Sequence, residues 1–425
     1  MLHSFAEVNS FLKERKNFGI KLGLERVNYL LEKLNYPEKE LKVIHVAGTN
    51  GKGSTIQFMN NALIACGYQV GVFTSPSFTG ICGHFLINNV EINGQDVVKL
   101  LNEMIPIINV LDDNNMHPTE FEILTVMAFL YFKDRKDFVL VETGMGGRFD
   151  TTNCLTPIIS IITNVEKDHM QFLGESLEEI STHKAGIIKQ NCPVIIGDVG
   201  KISEKIIRHE ANKKNATVYQ LFLDFTYVMN EHINTWKFSG KKLQFQLSLK
   251  GDHQVNNASL AIMALELIQQ REFTINWKDV SNSLYDTTLP GRFERVWHYP
   301  TIILDSAHNV AGTKAFVQTV MEHYPNNEKR LLFAGFKDKQ LKEMLTVISE
   351  PFAQLGITTF KHERAASIKE IVAALEADTP TKIISNWENY LEELLHEKNE
   401  EIIYFVTGSL HFITFVRNWL LKKKN

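Results

Sequence analysis

The stretch LKVIHVAGTNGKGSTIQFMNNALIACG, residues 41–67, constrains this chain more than any other. Val43, Ile44, Val46 and Ala47 make an apolar run that reads as a buried strand. A glycine-rich turn follows, Gly48 to Ser54, after which Ile56, Met59, Leu63 and Cys66 recur at helical spacing and Gly67 supplies a stop. Strand, glycine loop and helix with a lysine at its start form a phosphate cradle. Backbone N–H groups converge on the anion, the helix N-terminus adds partial positive charge, and Lys52 reaches the outer phosphates. The loop departs from the common G-x-x-x-x-G-K-[ST] spacing, because Val46 stands at the first glycine position and Gly53 separates Lys52 from Ser54 and Thr55. A tight turn with a solvated lysine is the alternative; the three elements occurring together favour phosphate.

A length of 425 residues allows two or three domains with substantial cores. With 44% hydrophobic and 22% charged residues, the composition is that of a soluble globular protein. A formal net charge of −4 supplies no bulk field for nucleic acid or an anionic membrane, so anionic ligands must be held by local Lys and Arg. The four cysteines (Cys66, Cys82, Cys154, Cys192) include no C-x-x-C pair, which excludes an ordinary structural zinc site and suits reduced thiols. No apolar run approaches a membrane span and the N-terminus lacks a signal-peptide core, so a cytoplasmic protein is expected.

Strands alternate with helices along most of the chain. Residues 4 to 34 read as two amphipathic helices, and Val70 to Thr74 as a second strand. A loop or hairpin passes through Asn88-Asn89, residues 95 to 112 read as a helix, and Pro118-Thr119-Glu120-Phe121-Glu122 starts another that runs to about Phe132. Strands at Phe138 to Val141, Ile158 to Thr163 and Pro193 to Ile196 follow, with a helix from Ser176 to Lys189. This alternation predicts a mainly parallel sheet covered on both faces. Residues 216 to 249 shift to short alternations that read as an antiparallel meander appended to the sheet, before a helix starting near Asn257. Pro290-Gly291 marks a turn or linker. A second strand–helix series begins beyond it, at Thr301 to Leu304, Arg330 to Ala334, Ile357 to Phe360 and Ile402 to Val406. The expected fold class is therefore α/β in two domains. The first, 1–288, is a P-loop domain with a mainly parallel sheet and an added antiparallel meander; 289–297 is a linker; 298–425 is a smaller Rossmann-like α/β domain.

In open parallel sheets, ligands bind beyond the carboxyl ends of the strands. Ser75, Glu142 and His169 each occupy or follow such an end, on the edge that carries the glycine loop. Singly, each has an ordinary account as a turn cap, an acceptor of backbone N–H groups or a loop histidine. Together they point to a magnesium–nucleotide site, with Ser75 and Glu142 as hard oxygen donors. His169 suits a second ion or manganese better than magnesium. The run Glu142-Thr143-Gly144-Met145-Gly146-Gly147-Arg148-Phe149-Asp150 invites a dinucleotide reading, which fails because Phe149 stands where G-x-G-x-x-G needs glycine.

The motifs AGTNGKGST, TSP, TEFE, ETGMGGRFDTTN, DHMQFLG, HKAGIIK, HQVNNA, PGRFE, DSAHN and TGS occur in this order across nearly the full length. In this the chain resembles the folylpolyglutamate synthase family of the Mur ligase superfamily, whose bacterial forms are often also dihydrofolate synthases. The resemblance implies an ATP-dependent amide ligase that adds L-glutamate to the terminal carboxylate of a folate through an acyl phosphate. It implies that Thr49, Asn50, Gly51, Lys52, Gly53 and Ser54 hold the triphosphate, that Ser75, Glu142 and His169 serve one or two magnesium ions, and that Lys184 carries a carbamate acting as a further metal ligand. Asn257, Arg292 and Asp305 are implied near ATP, and Lys52, Lys184, Asp305 and His308 in catalysis. The implied partners are small molecules (ATP, L-glutamate, and a folate or dihydropteroate) bound by a monomer without nucleic acid or membrane. Read from the residues alone, Lys184 is an exposed helical lysine, and a capping or core role is the alternative for His308.

The sequence departs from the family's pattern most in SPSFTGICGHFLINNVEING, and at Lys167, His183, Ser306 and Val310. Three readings stay open: a folate–glutamate ligase, a Mur-type ligase with a non-folate acceptor, and an ATP-binding protein that has lost ligation.

Overall fold

A computed structural model describes residues 1–424 other than 20, 135, 231–232, 378 and 398–400. The chain divides into two compact units, one of residues 1–247 with 255–287 and one of residues 248–254 with 288–425.

In the first unit the strands are β1 (Val43–Ala47), β2 (Val70–Phe73), β3 (Phe85–Ile87), β4 (Val90–Glu91), β5 (Phe138–Glu142), β6 (Ile159–Ile162), β7 (Val194–Ile196) and β8 (Val218–Gln220). Among the described residues they form one sheet in the order β4-β3-β2-β5-β1-β6-β7-β8. Its six strands from β2 to β8 pair in parallel, and β3 and β4 add an antiparallel edge. All five residues of β1 are buried, as a central parallel strand covered on both faces requires. Asn88 and Asn89 both take positive φ (49° and 66°), the backbone that a two-residue hairpin between β3 and β4 needs.

The segment expected as one meander divides. Residues 218–220 extend the parallel sheet as β8, while β9 (Phe225–Met229), β10 (Asn234–Phe238) and β11 (Lys241–Phe245) make a separate antiparallel sheet. The helix expected to begin near Asn257 spans Asp252–Gln269; its polar first turn carries no apolar periodicity to mark the start. The helix expected to reach Lys189 ends at Ala185. There Gly186 lies so close to the backbone of Arg148 that any Cβ would collide with it.

Helices Phe5–Lys16, Glu25–Lys33, Gly94–Asp113 and Glu120–Phe132 share one apolar core with β1, β2 and β5. Thr119 opens the last of these with a reciprocal capping box to Glu122. Glu122 also takes the Arg26 guanidinium at 2.9 Å. Its side chain is 1% exposed.

The second unit holds β12 (Glu294–Trp297), β13 (Thr301–Leu304), β14 (Glu328–Phe333), β15 (Gln354–Ile357), β16 (Thr381–Ile383) and β17 (Ile402–Thr407), in the order β12-β13-β17-β14-β15-β16. All neighbours are parallel except the β12–β13 pair. The expected linker 289–297 is thus corrected at its C-terminal half, where residues 294–297 form an edge strand. Val296 is buried there, and Arg417 grips Glu294 at 2.9 Å.

Glu122→Ala would leave Arg26 without its carboxylate and remove the capping box. Chemical denaturation should show a loss of about 3 kcal/mol in the stability of the first unit, and an unchanged midpoint would contradict the role given to this pair.

Candidate active site

The site in the first unit is built on the carboxyl edge of β2, β5, β1 and β6, adjacent strands in register. Phe73 lies opposite Val141, Val46 opposite Glu142, and Ala47 opposite Ile162. The glycine loop leaves β1 at Gly48, where a Cβ would run into the Thr163 hydroxyl. It reaches Gly51 at φ +82°, where a Cβ would strike the Asn257 side chain. These two glycines are therefore demanded by close approach. Gly53 is different: its Cβ direction opens onto empty space, so the protein itself does not explain the missing side chain.

Gly51 caps the helix Lys52–Ala65. The first amides of that helix have no acceptor within it and point out of its N-terminus. Lys52 folds back over the loop, donating to Gly48 O at 3.0 Å and Thr49 O at 3.3 Å. The Thr49 and Asn50 amides are both bonded to Asn164 Oδ1, at 3.1 and 2.8 Å.

Glu142 ends β5 and is buried. Its Oε2 accepts from the Thr74 hydroxyl and from the Ser75 amide (3.3 Å), which fixes the carboxylate beside Ser75. His169 sits in a left-handed turn (φ 51°), its Nε2 3.9 Å from Asp168 Oδ2. Among the described residues, no three His, Cys, Asp or Glu side chains converge as a ready metal cage. Ser75 and Glu142 nonetheless fit magnesium, which takes one or two protein oxygens and draws the rest of its shell from phosphates and water.

Lys184 lies in the last turn of the helix Leu177–Ala185 and is only 2% exposed. Burial, helped by the Lys52 charge, lowers its pKa to about 7, with Asp168 and Asp150 acting against the shift. The Gly144–Asp150 loop packs on this helix end, Arg148 N donating to His183 O at 2.6 Å. Asp150 is held in turn by Met145 N (2.7 Å) and Thr152 N (3.0 Å). His45, inside β1, meets Thr152 Oγ1 at 2.8 Å, and burial drives its pKa down to about 3, so it is a neutral core group.

In the second unit Asp305 follows β13 and accepts from Phe293 N and Ala307 N, both at 2.9 Å. Burial raises its pKa, opposed chiefly by Arg292. Ser306 bonds Gly291 O through its hydroxyl at 2.9 Å, tying the Pro-Gly turn to the same corner. His308 Nδ1 meets Ser306 O at 2.9 Å. Because a carbonyl only accepts, Nδ1 is the donor in this contact.

The structure thus gathers Lys52, Ser75, Glu142, His169, Lys184 and Asn257 at one region of the first unit, and Arg292, Asp305 and His308 at one corner of the second. Thr74, Thr163, Asn164 and Asp168 were not singled out from sequence. Each lies just past a strand end, so the rule that selected Ser75 and Glu142 would have reached them.

Known proteins bear on this arrangement. Residues 46–265 match the sequence-family model for the Mur ligase middle domain, and residues 291–410 that for the Mur ligase glutamate ligase domain. The fold is accordingly that of a Mur ligase. A dihydrofolate synthase/folylpolyglutamate synthase of Bacillus subtilis is 34% identical over 99% of this chain and 100% of its own length. The crystal structure of folylpolyglutamate synthase from Thermotoga maritima superposes with a TM-score of 0.85 at 30% identity, covering 99% of this chain and 97% of that one. The bifunctional folylpolyglutamate synthase/dihydrofolate synthase of Yersinia pestis, complexed with AMPPNP and a manganese ion, gives 0.87 at 25% identity over 99% and 98% of the two chains. The chain belongs to the folylpolyglutamate synthase/dihydrofolate synthase family.

The Lys184 shift has a sign that can be checked. The unfolded lysine keeps its proton up to the ordinary lysine value of 10.5 while the folded one releases it near 7. The unfolded state therefore binds more protons between these values, and stability contributed by this group rises with pH across that window. Denaturation midpoints measured from pH 7 to 10 should show this rise, and Lys184→Met should flatten it; identical profiles would contradict the burial of an ammonium here.

Proposed function

We propose that this protein is an ATP-dependent ligase that joins L-glutamate to the terminal carboxylate of a folate, and that dihydropteroate is a second acceptor. The observation that carries the proposal is the single edge on which a phosphate-type helix N-terminus, the open face of Gly53 and the Glu142–Ser75 pair lie together. Membership of a family of glutamate-adding ligases supplies the substrate class.

A carboxylate cannot lose oxide, so an amine does not displace it directly. Transfer of the γ-phosphoryl of ATP to a carboxylate oxygen gives an acyl phosphate and ADP. The glutamate amine then attacks the acyl carbon, the C–O bond to phosphate breaks, and the amide forms with loss of the amine proton. Amides at the start of the helix Lys52–Ala65 bind the phosphates, Lys52 swings from its loop carbonyls to the γ-phosphate, and Asn257 buttresses Gly51. Ser75 and Glu142 would hold magnesium and His169 would serve a second ion; such ions, when bound, would offset charge on the phosphoryl oxygens.

Lys184, with half of its amines neutral near pH 7, is chemically ready to add carbon dioxide. The amine nitrogen bonds to carbon and a proton leaves to solvent, which converts a cation into an oxygen donor. In the second unit, Arg292 and Asp305 serve the nucleotide, while His308, its ring held through Nδ1 on the Ser306 carbonyl, helps to position the reacting groups. The protein acts as a cytoplasmic monomer on small molecules, without nucleic acid or membrane partners.

Phosphate release from ATP should require L-glutamate together with dihydropteroate or a reduced folate, and mass spectrometry should find a product heavier by one glutamyl residue. Turnover only with an unrelated carboxylic acid would replace the folate acceptor, and nucleotide binding without turnover would remove the ligase reading altogether. Lys52→Ala should lower kcat/KM on the order of a thousandfold with an unchanged melting temperature; full activity in that variant would end the proposed role of Lys52.

A further inference from the structure

The segment that follows β6 decides which donors of the glycine loop are open to a ligand. Asn164 Oδ1 accepts from Thr49 N at 3.1 Å and from Asn50 N at 2.8 Å. The Thr163 hydroxyl donates to Asn50 O at 2.6 Å. The Thr49 hydroxyl is committed to Glu166, donating to its carbonyl at 3.1 Å and accepting from its amide at 2.9 Å. One side of the loop is therefore turned inward and fully engaged by residues more than a hundred positions away. The first intrahelical bond is made by Thr55 N to Gly51 O. The amides just before Thr55, at Lys52, Gly53 and Ser54, consequently have no acceptor in the helix.

We infer that Asn164 and Thr163 are positioning residues of the nucleotide site, which withdraw the Thr49 and Asn50 amides from the phosphates and present those of residues 51–54. The inference rests on the ATP reading given above. It changes the part played by Thr49 and Asn50, which hold the loop to the β6 segment and leave the anion to their neighbours. Two properties of the brace follow from its chemistry. Asn164 uses one carbonyl oxygen for two donors, which an aspartate oxygen would also do, but a carboxylate would set a negative charge beside the triphosphate. Thr163 serves Gly48 as well as Asn50, because its hydroxyl fills the space that a side chain at Gly48 would need. The brace therefore fixes both ends of the tetrapeptide that enters the helix.

Amide hydrogen exchange at residue resolution, with AMPPNP binding measured on the same full-length protein, tests this. Without nucleotide, the Thr49 and Asn50 amides should already be protected, and AMPPNP should add protection only at residues 51–54. Asn164→Ala should expose the Asn50 amide, whereas Thr49 N keeps the Asn164 backbone carbonyl at 3.2 Å as acceptor, and should raise the AMPPNP Kd and the ATP KM about tenfold, while the KM for glutamate stays unchanged. Asn164→Asp should keep those amides protected yet still weaken AMPPNP, separating geometry from charge. Thr163→Val should weaken AMPPNP severalfold, and Thr163→Ser should restore binding, so the proposal stays testable even where Asn164→Ala fails to fold. New protection of Thr49 and Asn50 on adding AMPPNP, or unchanged affinity in folded Asn164→Ala and Thr163→Val, would overturn the inference. Absence of AMPPNP binding to the wild-type protein would instead overturn the nucleotide reading, and this inference with it.

Discussion

The contact between Gly48 and the Thr163 hydroxyl sets the geometry from which the site follows. β1 lies between β5 and β6, and its chain must turn off the sheet edge directly over the end of β6. A residue with a Cβ at position 48 would be driven into Thr163 and lifted away. With glycine there, the loop lies flat against residues 163–166, and the helix Lys52–Ala65 starts with its amides facing the same edge as Glu142. Catalytic sites of this type depend on holding charged groups within a fraction of an ångström. Here that precision comes from backbone contacts and short side-chain bonds; the loop is not left to order itself around a ligand.

The same compactness explains the electrostatics. With a formal net charge of −4, the chain as a whole does not attract a triphosphate. The attraction has to be local, and it is concentrated where Lys52 and Lys184 approach one another closely enough for each charge to oppose the other. Burial then makes the second of these the less costly one to discharge. A buried lysine without its proton is a nucleophile, and the neighbouring Asp168 and Asp150 keep the balance from going further. Asp305 shows the opposite arrangement in the second unit, where burial raises the pKa of the acid and Arg292 opposes that rise.

Much of this architecture was legible in the sequence because it is written in local patterns. The buried run Val43–Ala47 and the turn asparagines at 88–89 each state their structure within a few residues. The rule that ligands gather at the carboxyl ends of parallel strands put Ser75 and Glu142 on one edge with the glycine loop, and the motif series pointed to the family. What escaped has a common physical cause. Asn164 and Thr163 act on backbone N–H and C=O groups 113 to 115 residues away, and no periodicity records which side chain returns to which backbone group. Lys184 looked like a solvated helical lysine because helical spacing does not show what covers a helix end; Gly147 and Gly186, by packing backbone on backbone, cover it. The strand Glu294–Trp297 was hidden by the Pro-Gly turn before it, which signals a break without saying how soon pairing resumes.

Passage of the acceptor carboxylate through an acyl phosphate is the step on which the proposed chemistry turns, and oxygen-18 follows it directly. A folate or dihydropteroate labelled in both oxygens of its reacting carboxylate is converted with ATP and L-glutamate, and the released phosphate is analysed by mass. One labelled oxygen per phosphate, with the other retained in the amide carbonyl, is the result predicted. Amide product formed with unlabelled phosphate, or with the label in AMP, would contradict it.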